Sequence, residues 1–466
     1  MNPIQITRTI AALGLAGATL LGCKPQLDAP APARGAADFS RYVAVGNSLT
    51  AGYADNGLYR AGQLNSYPNI IAGQFRQAGG AAEFRQPLFA ENQADGTGYL
   101  ALRGLNNGVP TLVPVPPQAI RGRTTPDPLQ NPPGVLLTKY TEPIDNYGIP
   151  NIRVADLNDP AFARNPYYER ILTDAEAGKT YLAKVTESNP TFFSCWMGNN
   201  DVLLYAASGG QVPITEPDRF SALYNDLLTA LTRNGAGGVV ANITNITTIP
   251  FLTTLGPQVK AVLAANNIPG IVAQSGPAQR PTVIQVPTAA IASSSGGTVL
   301  FPLTASAYAS LVGRPTGQYW REFAAQRGLP VERVMAQYNL DTLQLFGLSP
   351  RNPWPTSLIL DASEVSAANA AVESYNSTIR SAADARGLAF VDANALLRQL
   401  QTGLLYNGVG VNAAFITGGL FSLDGVHLTP KGYAIAANEF IRAINAKYSS
   451  TVPQVDVNNY PGVRFP

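Results

Sequence analysis

The sequence contains few of the side chains that build metal sites. Its 466 residues include one histidine, His427, and two cysteines, Cys23 and Cys195. A closed structural zinc site usually takes four cysteine or histidine ligands, which this chain cannot supply. We therefore predict a protein without a metal site.

Charged residues are also scarce. Asp, Glu, Lys and Arg make up 13% of the chain, and 32 basic against 30 acidic residues give a formal net charge of +2. This balance provides no broad positive field that would attract polyanions, so we do not expect a nucleic acid partner. Glycine (43) and proline (37) are abundant instead, which favours an exported protein with long ordered loops.

The amino terminus has the order of regions that is typical of a secretory signal. Arg8 precedes an apolar stretch from Thr9 to Leu21, which is shorter than the span of about 20 apolar residues that a membrane-crossing helix needs. The stretch ends in Leu20-Leu21-Gly22-Cys23, which resembles the bacterial lipobox, where cleavage leaves the cysteine as the lipidated first residue. We predict a signal peptide over residues 1–22 and a lipid anchor on Cys23 that holds the protein to a membrane of the cell envelope.

Lipidation of Cys23 would leave Cys195 without a disulfide partner, so we expect the fold to hold without disulfides. The residue after the anchor is Lys24, not the aspartate that marks inner-membrane retention in some bacteria, and this favours the outer membrane. Residues 23–38 are rich in alanine and proline, which predicts an extended tether and not a packed element.

Short apolar runs predict the strands of the folded body, which we place at residues 39–450, before a C-terminal tail at 451–466. The runs are rich in β-branched or aromatic residues and the later ones follow segments of helical character. Strands that alternate with helices indicate an α/β fold, with a parallel sheet covered by helices on both faces. The four predicted strands are Tyr42–Val45, Thr191–Met197, Val239–Ile243 and Leu388–Val391.

Two helices can be bounded from the sequence. Apolar residues three or four apart form one face from about Ser363 to Ala385. Thr429 is a good N-cap, and Pro430 suits the first turn of the helix that follows. Loop-rich stretches interrupt the alternation at about 82–143 and 253–356, and we interpret both as insertions, the second forming a small helical cap.

Three polar motifs lie at the ends of predicted elements. Two follow predicted strands, and the third comes just before a predicted helix. Ser48 lies just past the first strand, at the edge where open α/β sheets bind ligands, although a serine in such a place often only caps a helix. Asn200 follows another strand and could donate a hydrogen bond to an oxyanion. In Asp424-Gly425-Val426-His427 the spacing allows the carboxylate to bind the imidazole three residues away and fix its tautomer.

These motifs resemble those of the SGNH hydrolases, also called the GDSL esterase/lipase family. Gly46-Asn47-Ser48-Leu49 is similar to the first block of the family, Gly198-Asn199-Asn200-Asp201 to its Gly-x-Asn-Asp block, and Asp424-Gly425-Val426-His427 to its Asp-x-x-His block. The resemblance runs from about Val43 to Phe440 and leaves the two insertions unaccounted for. It implies a flavodoxin-like three-layer α/β/α sandwich, hydrolysis of carboxylic esters and no cofactor.

The sequence departs from the family pattern at two positions. Asn47 stands where the family usually has an aspartate. This change removes a charge, and we expect it to alter the hydrogen bonds of the loop more than the type of reaction. The family glycine that donates a backbone N–H to the oxyanion matches Asn151 by register, and Gly148 is the alternative. Asparagine keeps the N–H and tolerates unusual backbone angles, but its side chain would intrude on the site.

The resemblance implies a mechanism in which Ser48 attacks an ester carbonyl and His427 takes the serine proton. Asp424 would orient the imidazole, while Asn200 and the N–H groups of Ser48 and Asn151 would form the oxyanion hole. The substrate would be a small-molecule ester or an ester of a lipid or glycan. The predicted function is therefore an exported, lipid-anchored ester hydrolase.

Other functions remain open at this point. A surface lipoprotein of the same fold, with weak or no turnover, could bind acylated or carbohydrate ligands through its insertions. Acyl transfer to a sugar or lipid would use the same residues with another acceptor. The nucleophile elbow of the α/β-hydrolases needs Gly-x-Ser-x-Gly, which does not occur in the sequence. Dinucleotide binding is poorly supported, because Gly408-Val409-Gly410 lacks the third glycine of that fingerprint, and we interpret it as a turn.

Overall fold

The computed structural model describes residues 31–106, 109–123, 134–277 and 281–466. The predicted signal peptide, residues 1–22, and the predicted lipidation site Cys23 lie outside these ranges. The strands are β1 (Tyr42–Gly46), β2 (Tyr99–Asn106), β3 (Val109–Val115), β4 (Ile120–Arg123), β5 (Val135–Leu137), β6 (Asn146–Gly148), β7 (Phe192–Trp196), β8 (Gly237–Ala241), β9 (Gly270–Ser275), β10 (Thr282–Pro287), β11 (Ala389–Val391), β12 (Leu404–Tyr406) and β13 (Val409–Val411).

In the described ranges, helices lie in six of the twelve connections between consecutive strands. The α-helices are α1 (Ser48–Ala51), α2 (Arg60–Leu64), α3 (Tyr67–Gln77), α4 (Pro166–Glu169), α5 (Tyr181–Thr186), α6 (Asn199–Ala207), α7 (Pro217–Thr232), α8 (Pro250–Thr253), α9 (Leu255–Ala265), α10 (Ser306–Ala309), α11 (Gln318–Gln326), α12 (Val331–Gln337), α13 (Ala362–Ala385), α14 (Ala393–Thr402) and α15 (Pro430–Tyr448). Short 3₁₀ helices lie at Glu91–Gln93, Val154–Asp156, Pro160–Arg164, Asp174–Glu176, Ile246–Thr248, Thr288–Ala290, Leu303–Ala305, Thr356–Leu358 and Val457–Asn459.

Five strands form a central sheet in the order β11-β8-β7-β1-β6, and every neighbouring pair is parallel. Counted along the chain this is the order 2-1-3-4-5 of flavodoxin-like folds. The predicted α/β fold with a parallel sheet is therefore confirmed. The order reverses between β1 and β7, and ligands of such sheets bind beyond the carboxyl ends of the strands at that point.

The composition of β1 and β7 explains their central place. All five residues of each strand are buried; β1 is a short run of aromatic, β-branched and small residues, and β7 is a short run of aromatic and small residues. Strands that are buried on both faces of a parallel sheet have this near-continuous apolar character. The four strands predicted from such runs are confirmed. The edge strand β6 was not predicted, because a three-residue segment with an asparagine and a glycine has little strand propensity.

Helices cover the sheet in two layers. Helix α15 packs with α3 and contacts β8 and β11, while α13 packs with α7 and contacts the same two strands. The start of α13 is fixed by a capping box, in which Asp361 accepts from backbone N–H groups of the first turn and Glu364 accepts from the Asp361 N–H. Thr429 caps α15 and Pro430 is its first residue, as predicted.

The two segments predicted as insertions contain small sheets of their own. Residues 82–143 include the antiparallel pairs β2–β3 and β4–β5. Residues 253–356 enclose a separate hydrophobic core around Trp320 and Trp354, built by helices α9 to α12 and by the antiparallel pair β9–β10. The second segment is therefore more than a helical cap, since it contains strands that the sequence pattern did not reveal.

Both ends of the described chain pack against α15. The Ala36 N–H donates to the Tyr448 carbonyl over 2.8 Å and Ala37 is buried, so the predicted tether ends before residue 36 and not at Asp38. At the other end, the predicted tail contributes the buried side chains of Val452 and Val457. Within the described ranges no helix combines the length and apolar character needed to cross a membrane.

Candidate active site

Ser48 lies at the carboxyl end of β1, where the strand order of the sheet reverses. The strand ends at Gly46, and a side chain there would meet Thr50 Oγ1 at 2.0 Å and the Trp196 carbonyl at 2.6 Å. The turn therefore needs glycine. Asn47 Oδ1 accepts from the Leu49 N–H over 3.0 Å and caps α1, so the amide performs the capping that an aspartate would perform.

The structure brings Ser48, His427 and Asp424 into one hydrogen-bonded line. His427 Nε2 lies 2.8 Å from Ser48 Oγ, and His427 Nδ1 lies 2.8 Å from Asp424 Oδ2. The imidazole is 13% exposed and the carboxylate 9%, so both groups are largely shielded from solvent. With Nδ1–H bound to the carboxylate, Nε2 is left to accept the serine proton.

The carboxylate of Asp424 is held in its ionised form. Its Oδ1 accepts from the N–H groups of Val426 and His427, each over 2.8 Å, and Oδ2 accepts from the Asn56 N–H over 2.9 Å. Burial opposes ionisation, but the His427 charge and these hydrogen bonds outweigh it and hold the pKa of Asp424 well below its ordinary value. Asp424 is therefore a carboxylate at any pH where an imidazole base would act.

Two residues that sequence reasoning missed hold the loop containing Asp424. Asp55 and Asn56 both have left-handed backbone angles, with φ of +52° and +62°, which asparagine and aspartate tolerate best among residues other than glycine. Asp55 Oδ1 accepts from the Leu423 N–H over 3.0 Å, beside the Asn56 contact to Asp424. In the sequence, Asp55-Asn56-Gly57 predicts only a local turn. The residues that Asp55 and Asn56 bind, Leu423 and Asp424, lie 368 residues further along the chain.

Tyr53 and Tyr59 pack around the same loop. The Tyr53 ring lies 4.6 Å from the His427 ring, centroid to centroid. Tyr59 donates its hydroxyl hydrogen to Asp55 Oδ2 over 2.7 Å. Burial raises the pKa of Asp55, while the hydrogen bonds from Leu423 and Tyr59 oppose that rise. The segment after α1 thus links the Ser48 turn to the loop that contains Asp424 and His427.

Asn200 follows β7 and lies in the same cavity wall as Ser48 and His427. It is buried, and its Nδ2 donates to the Ile152 carbonyl over 2.9 Å. This bond assigns the positions of Nδ2 and Oδ1 in the Asn200 amide. It uses only one of the two Nδ2 hydrogens. The second hydrogen is available to an oxyanion, as is the Ser48 N–H, which is the first of α1 and has no acceptor within the helix.

The structure distinguishes the two alternatives for a further N–H donor. The Gly148 N–H already donates to Asn146 Oδ1 over 2.9 Å, so it is not free. Asn151 is exposed and has a left-handed φ of +68°, and its N–H donates to no acceptor among the described residues. Because Asn200 binds the carbonyl of the next residue, Ile152, the backbone at Asn151 lies beside Asn200.

Asp201 binds the backbone that follows Ile152. Its carboxylate accepts from the N–H groups of Val154 and Ala155 over 2.7 and 3.2 Å, and from Thr215 Oγ1 over 2.6 Å. Burial raises the pKa of Asp201 to about 6, and the three hydrogen bonds only partly offset that effect. Asp201 is thus a buried support for the backbone at Val154 and Ala155.

An apolar cavity, called the side cavity below, opens beside Ser48. Its wall includes Leu396, Leu397 and Leu400 of α14, together with Ile246, Ile249 and Ile435. Ser48, Asn199, Asn200 and His427 also line this cavity. Among the described residues no three His, Cys, Asp or Glu side chains lie close enough to hold a metal ion. Gly408, which the sequence predicted to lie in a turn, is in the turn of the β12–β13 hairpin.

Comparisons with known proteins leave the family of this chain unassigned. No family model matches the chain, and no curated protein does. Matching solved structures include an acetylxylan esterase from Geobacillus stearothermophilus, with 11% identity and a TM-score of 0.32 over 89% of this chain and 98% of that one. Another is an alpha/beta hydrolase enzyme from the metagenome of Lake Arreo, Spain, with 11% identity and a TM-score of 0.34 over 88% and 96%. Likeness of this degree supports no argument about activity.

Proposed function

We propose that this protein is a serine ester hydrolase that acts through an acyl-enzyme. The observation that carries the proposal is the line of two 2.8 Å contacts from Ser48 Oγ through His427 to Asp424. A buried carboxylate, an oriented imidazole and a hydroxyl at the carboxyl edge of the sheet form an arrangement suited to activating a nucleophile.

In the proposed reaction, Ser48 Oγ attacks the ester carbonyl carbon while His427 Nε2 takes its proton. Asp424 stabilises the resulting imidazolium, and Asn200 Nδ2 with the N–H groups of Ser48 and Asn151 binds the oxyanion. His427 then returns the proton to the leaving alcohol, and a water molecule hydrolyses the acyl-enzyme by the same steps. No step needs a cofactor or a metal ion.

The test compares the wild type with Ser48→Ala on p-nitrophenyl esters and on acetylated sugars. We expect the variant to lose at least about a thousandfold in kcat/KM, because the nucleophile is gone. Ser188→Ala is a matched control, since the Ser188 hydroxyl is buried without a hydrogen-bond partner among the described residues. Hydrolysis that survives in Ser48→Ala would refute the assignment of the nucleophile.

We also propose that the enzyme is anchored to the bacterial envelope, in the outer membrane, through lipid on Cys23. The order of charged, apolar and small residues before Cys23 supports this proposal. Fractionation of cells expressing the wild type or Cys23→Ala tests it. The wild type should partition with outer-membrane lipids and the variant should not; equal partitioning of both would contradict the anchor.

A further inference from the structure

Arg170 is a buried cation with no acidic partner among the described residues. It follows α4 and is 2% exposed. Its Nε donates to the Thr138 carbonyl over 3.1 Å, and its Nη1 donates to the Pro87 carbonyl over 2.7 Å. Neither carbonyl carries a charge, and within the described ranges no Asp or Glu forms an ion pair with the guanidinium. The positive charge of Arg170 is therefore unbalanced, whereas buried charges in proteins are normally paired.

The aromatic rings beside Arg170 do not replace a counter-charge. The guanidinium carbon lies 4.3 Å from the centre of the Phe89 ring and 6.0 Å from that of the Tyr140 ring. Ring faces attract a cation, but they carry no net charge. Burial lowers the pKa of Arg170 to about 10, since no carboxylate among the described residues offsets the loss of hydration. At neutral pH the guanidinium still holds its proton.

Arg170 lines a small cavity, called the Arg170 cavity below. The other polar side chains in its wall are the amides of Gln63, Gln86 and Asn146 and the phenol of Tyr167. No Asp or Glu of the described residues lines it. Its volume admits about one particle of the size of a water molecule or a halide ion. The cavity thus combines an unbalanced cation with space for a small counter-ion.

Two hydrogen-bond donors in this wall are unused. Gln86 Oε1 accepts from Ser66 Oγ and from Asn146 Nδ2, each over 3.1 Å, which assigns the other end of the Gln86 amide as Nε2. Among the described residues, neither Gln86 Nε2 nor Arg170 Nη2 has an acceptor. A guanidinium and a spare amide donor, with no acid beside them, are suited to an anion.

We infer that the Arg170 cavity binds one small monovalent anion, for which chloride has the right size and charge. Arg170 Nη2 and Gln86 Nε2 would donate to it, and its charge would balance the buried guanidinium. Polyatomic anions such as sulfate are too large for this space. The inference is independent of the proposed ester hydrolysis, because the Arg170 cavity and the side cavity share no lining residue.

The Arg170 cavity lies behind α1, the short helix that begins at Ser48. Ala51, the last residue of α1, lines the cavity, as do Asn146 and Gly148 of β6. Asn146 Nδ2 also donates to the Thr50 carbonyl over 2.9 Å. An anion at this junction would hold α1 and β6 together from the side away from the reacting groups. We therefore expect it to stabilise the folded state.

Urea unfolding of the full chain tests this inference. Sodium chloride is exchanged for sodium gluconate at constant ionic strength, because gluconate is too large for the cavity. Above the dissociation constant of one site, each tenfold increase in chloride should raise the ratio of folded to unfolded chains about tenfold. Arg170→Met should abolish this dependence, whereas Arg76→Met, which removes an exposed arginine of α3, should keep it. Wild-type stability that does not change with chloride would overturn the inference.

Gln86→Glu provides a second variant if Arg170→Met does not fold. It keeps one oxygen to accept from Ser66 and Asn146 and places a carboxylate oxygen where the spare donor now lies. This carboxylate should balance Arg170 in place of the anion, so the dependence on chloride should disappear. Gln77→Glu adds the same charge at an exposed position and should keep the dependence. Full chloride dependence in Gln86→Glu would contradict the inference.

Crystals grown in sodium bromide locate the anion directly. We expect one anomalous bromide peak within hydrogen-bonding distance of Arg170 Nη2 and Gln86 Nε2. Density for a water molecule in the cavity, without an anomalous peak, would show that a neutral molecule satisfies these donors and would refute the inference.

Discussion

Replacing Asp424 by asparagine separates the charge of this residue from its size. In the resting structure the carboxylate accepts from three backbone N–H groups and from His427 Nδ1. An amide can accept through its oxygen only. If that oxygen faces the N–H groups of Val426 and His427, the amide nitrogen faces the Asn56 N–H and His427 Nδ1.

This arrangement would reverse the tautomer of the imidazole. His427 Nδ1 would accept from the amide, and Nε2 would carry the hydrogen that now lies on Nδ1, so it could not take the Ser48 proton. We expect Asp424→Asn to lower kcat/KM by about a thousand- to ten-thousandfold, which is about 4 to 5.5 kcal/mol of transition-state stabilisation. The amide N–H facing the Asn56 N–H should also cost about 1 to 3 kcal/mol of unfolding free energy.

The assay pairs ester hydrolysis with denaturant unfolding of the same preparations. Asp384→Asn is the control, because the Asp384 side chain is 59% exposed and forms a surface ion pair with Arg380. Its kcat/KM and unfolding free energy should match those of the wild type. If Asp424→Asn keeps kcat/KM within tenfold of the wild type, the carboxylate does not set the tautomer and the reasoning is wrong.

Three further predictions concern the segment beside Ser48. Asn200→Ala should lower kcat about a hundred- to a thousandfold with little change in KM, because an amide donor to the oxyanion is lost. Asn151→Gly should keep kcat/KM within about threefold, since glycine keeps the N–H and adopts φ of +68° freely, whereas Asn151→Pro should lose at least about a hundredfold. For Asp201, burial raises the folded-state pKa to about 6, so the folded state gains from protonation and that gain is lost as pH rises from about 4 to 6. The wild type should therefore lose about 3 kcal/mol of unfolding free energy relative to Asp201→Asn between pH 4 and pH 7. Denaturant unfolding of both proteins at the two pH values measures this change.

Each of these predictions has an outcome that would count against it. Unchanged turnover in Asn200→Ala would remove the amide from the oxyanion hole. Equal activity of the glycine and proline variants at position 151 would mean that the backbone N–H there has no role. A pH-independent stability difference between the wild type and Asp201→Asn would show that the buried carboxyl group does not titrate between pH 4 and 7.

Much of the sheet could be predicted from the sequence because its strands are buried on both faces. Such strands appear as continuous apolar runs, and the runs that end at Gly46 and Trp196 lead directly to Ser48 and Asn200. The strand Asn146–Gly148 has no such run. It is held instead by Asn146, whose Nδ2 donates to the Thr50 carbonyl over 2.9 Å, a contact between segments 96 residues apart.

The candidate site was predictable where its partners are close in the sequence. Asp424 and His427 lie three residues apart, and their spacing alone suggests a hydrogen bond. The support from Asp55 and Asn56 could not be predicted, because it depends on two left-handed residues that meet a loop more than 360 residues away. The side cavity was equally hidden, since its wall combines α14, α15 and the loop after β8, which only the tertiary fold brings together.

The central claim is that Ser48 becomes acylated, and a pre-steady-state measurement tests it most directly. Rapid mixing with p-nitrophenyl acetate should release a burst of p-nitrophenol close to one per chain, and peptide mass mapping after acid quench should find the acetyl group on Ser48. His427→Ala should abolish the burst, since the chain has no second histidine. An adduct on another residue, or steady hydrolysis with no adduct and no burst, would contradict the account.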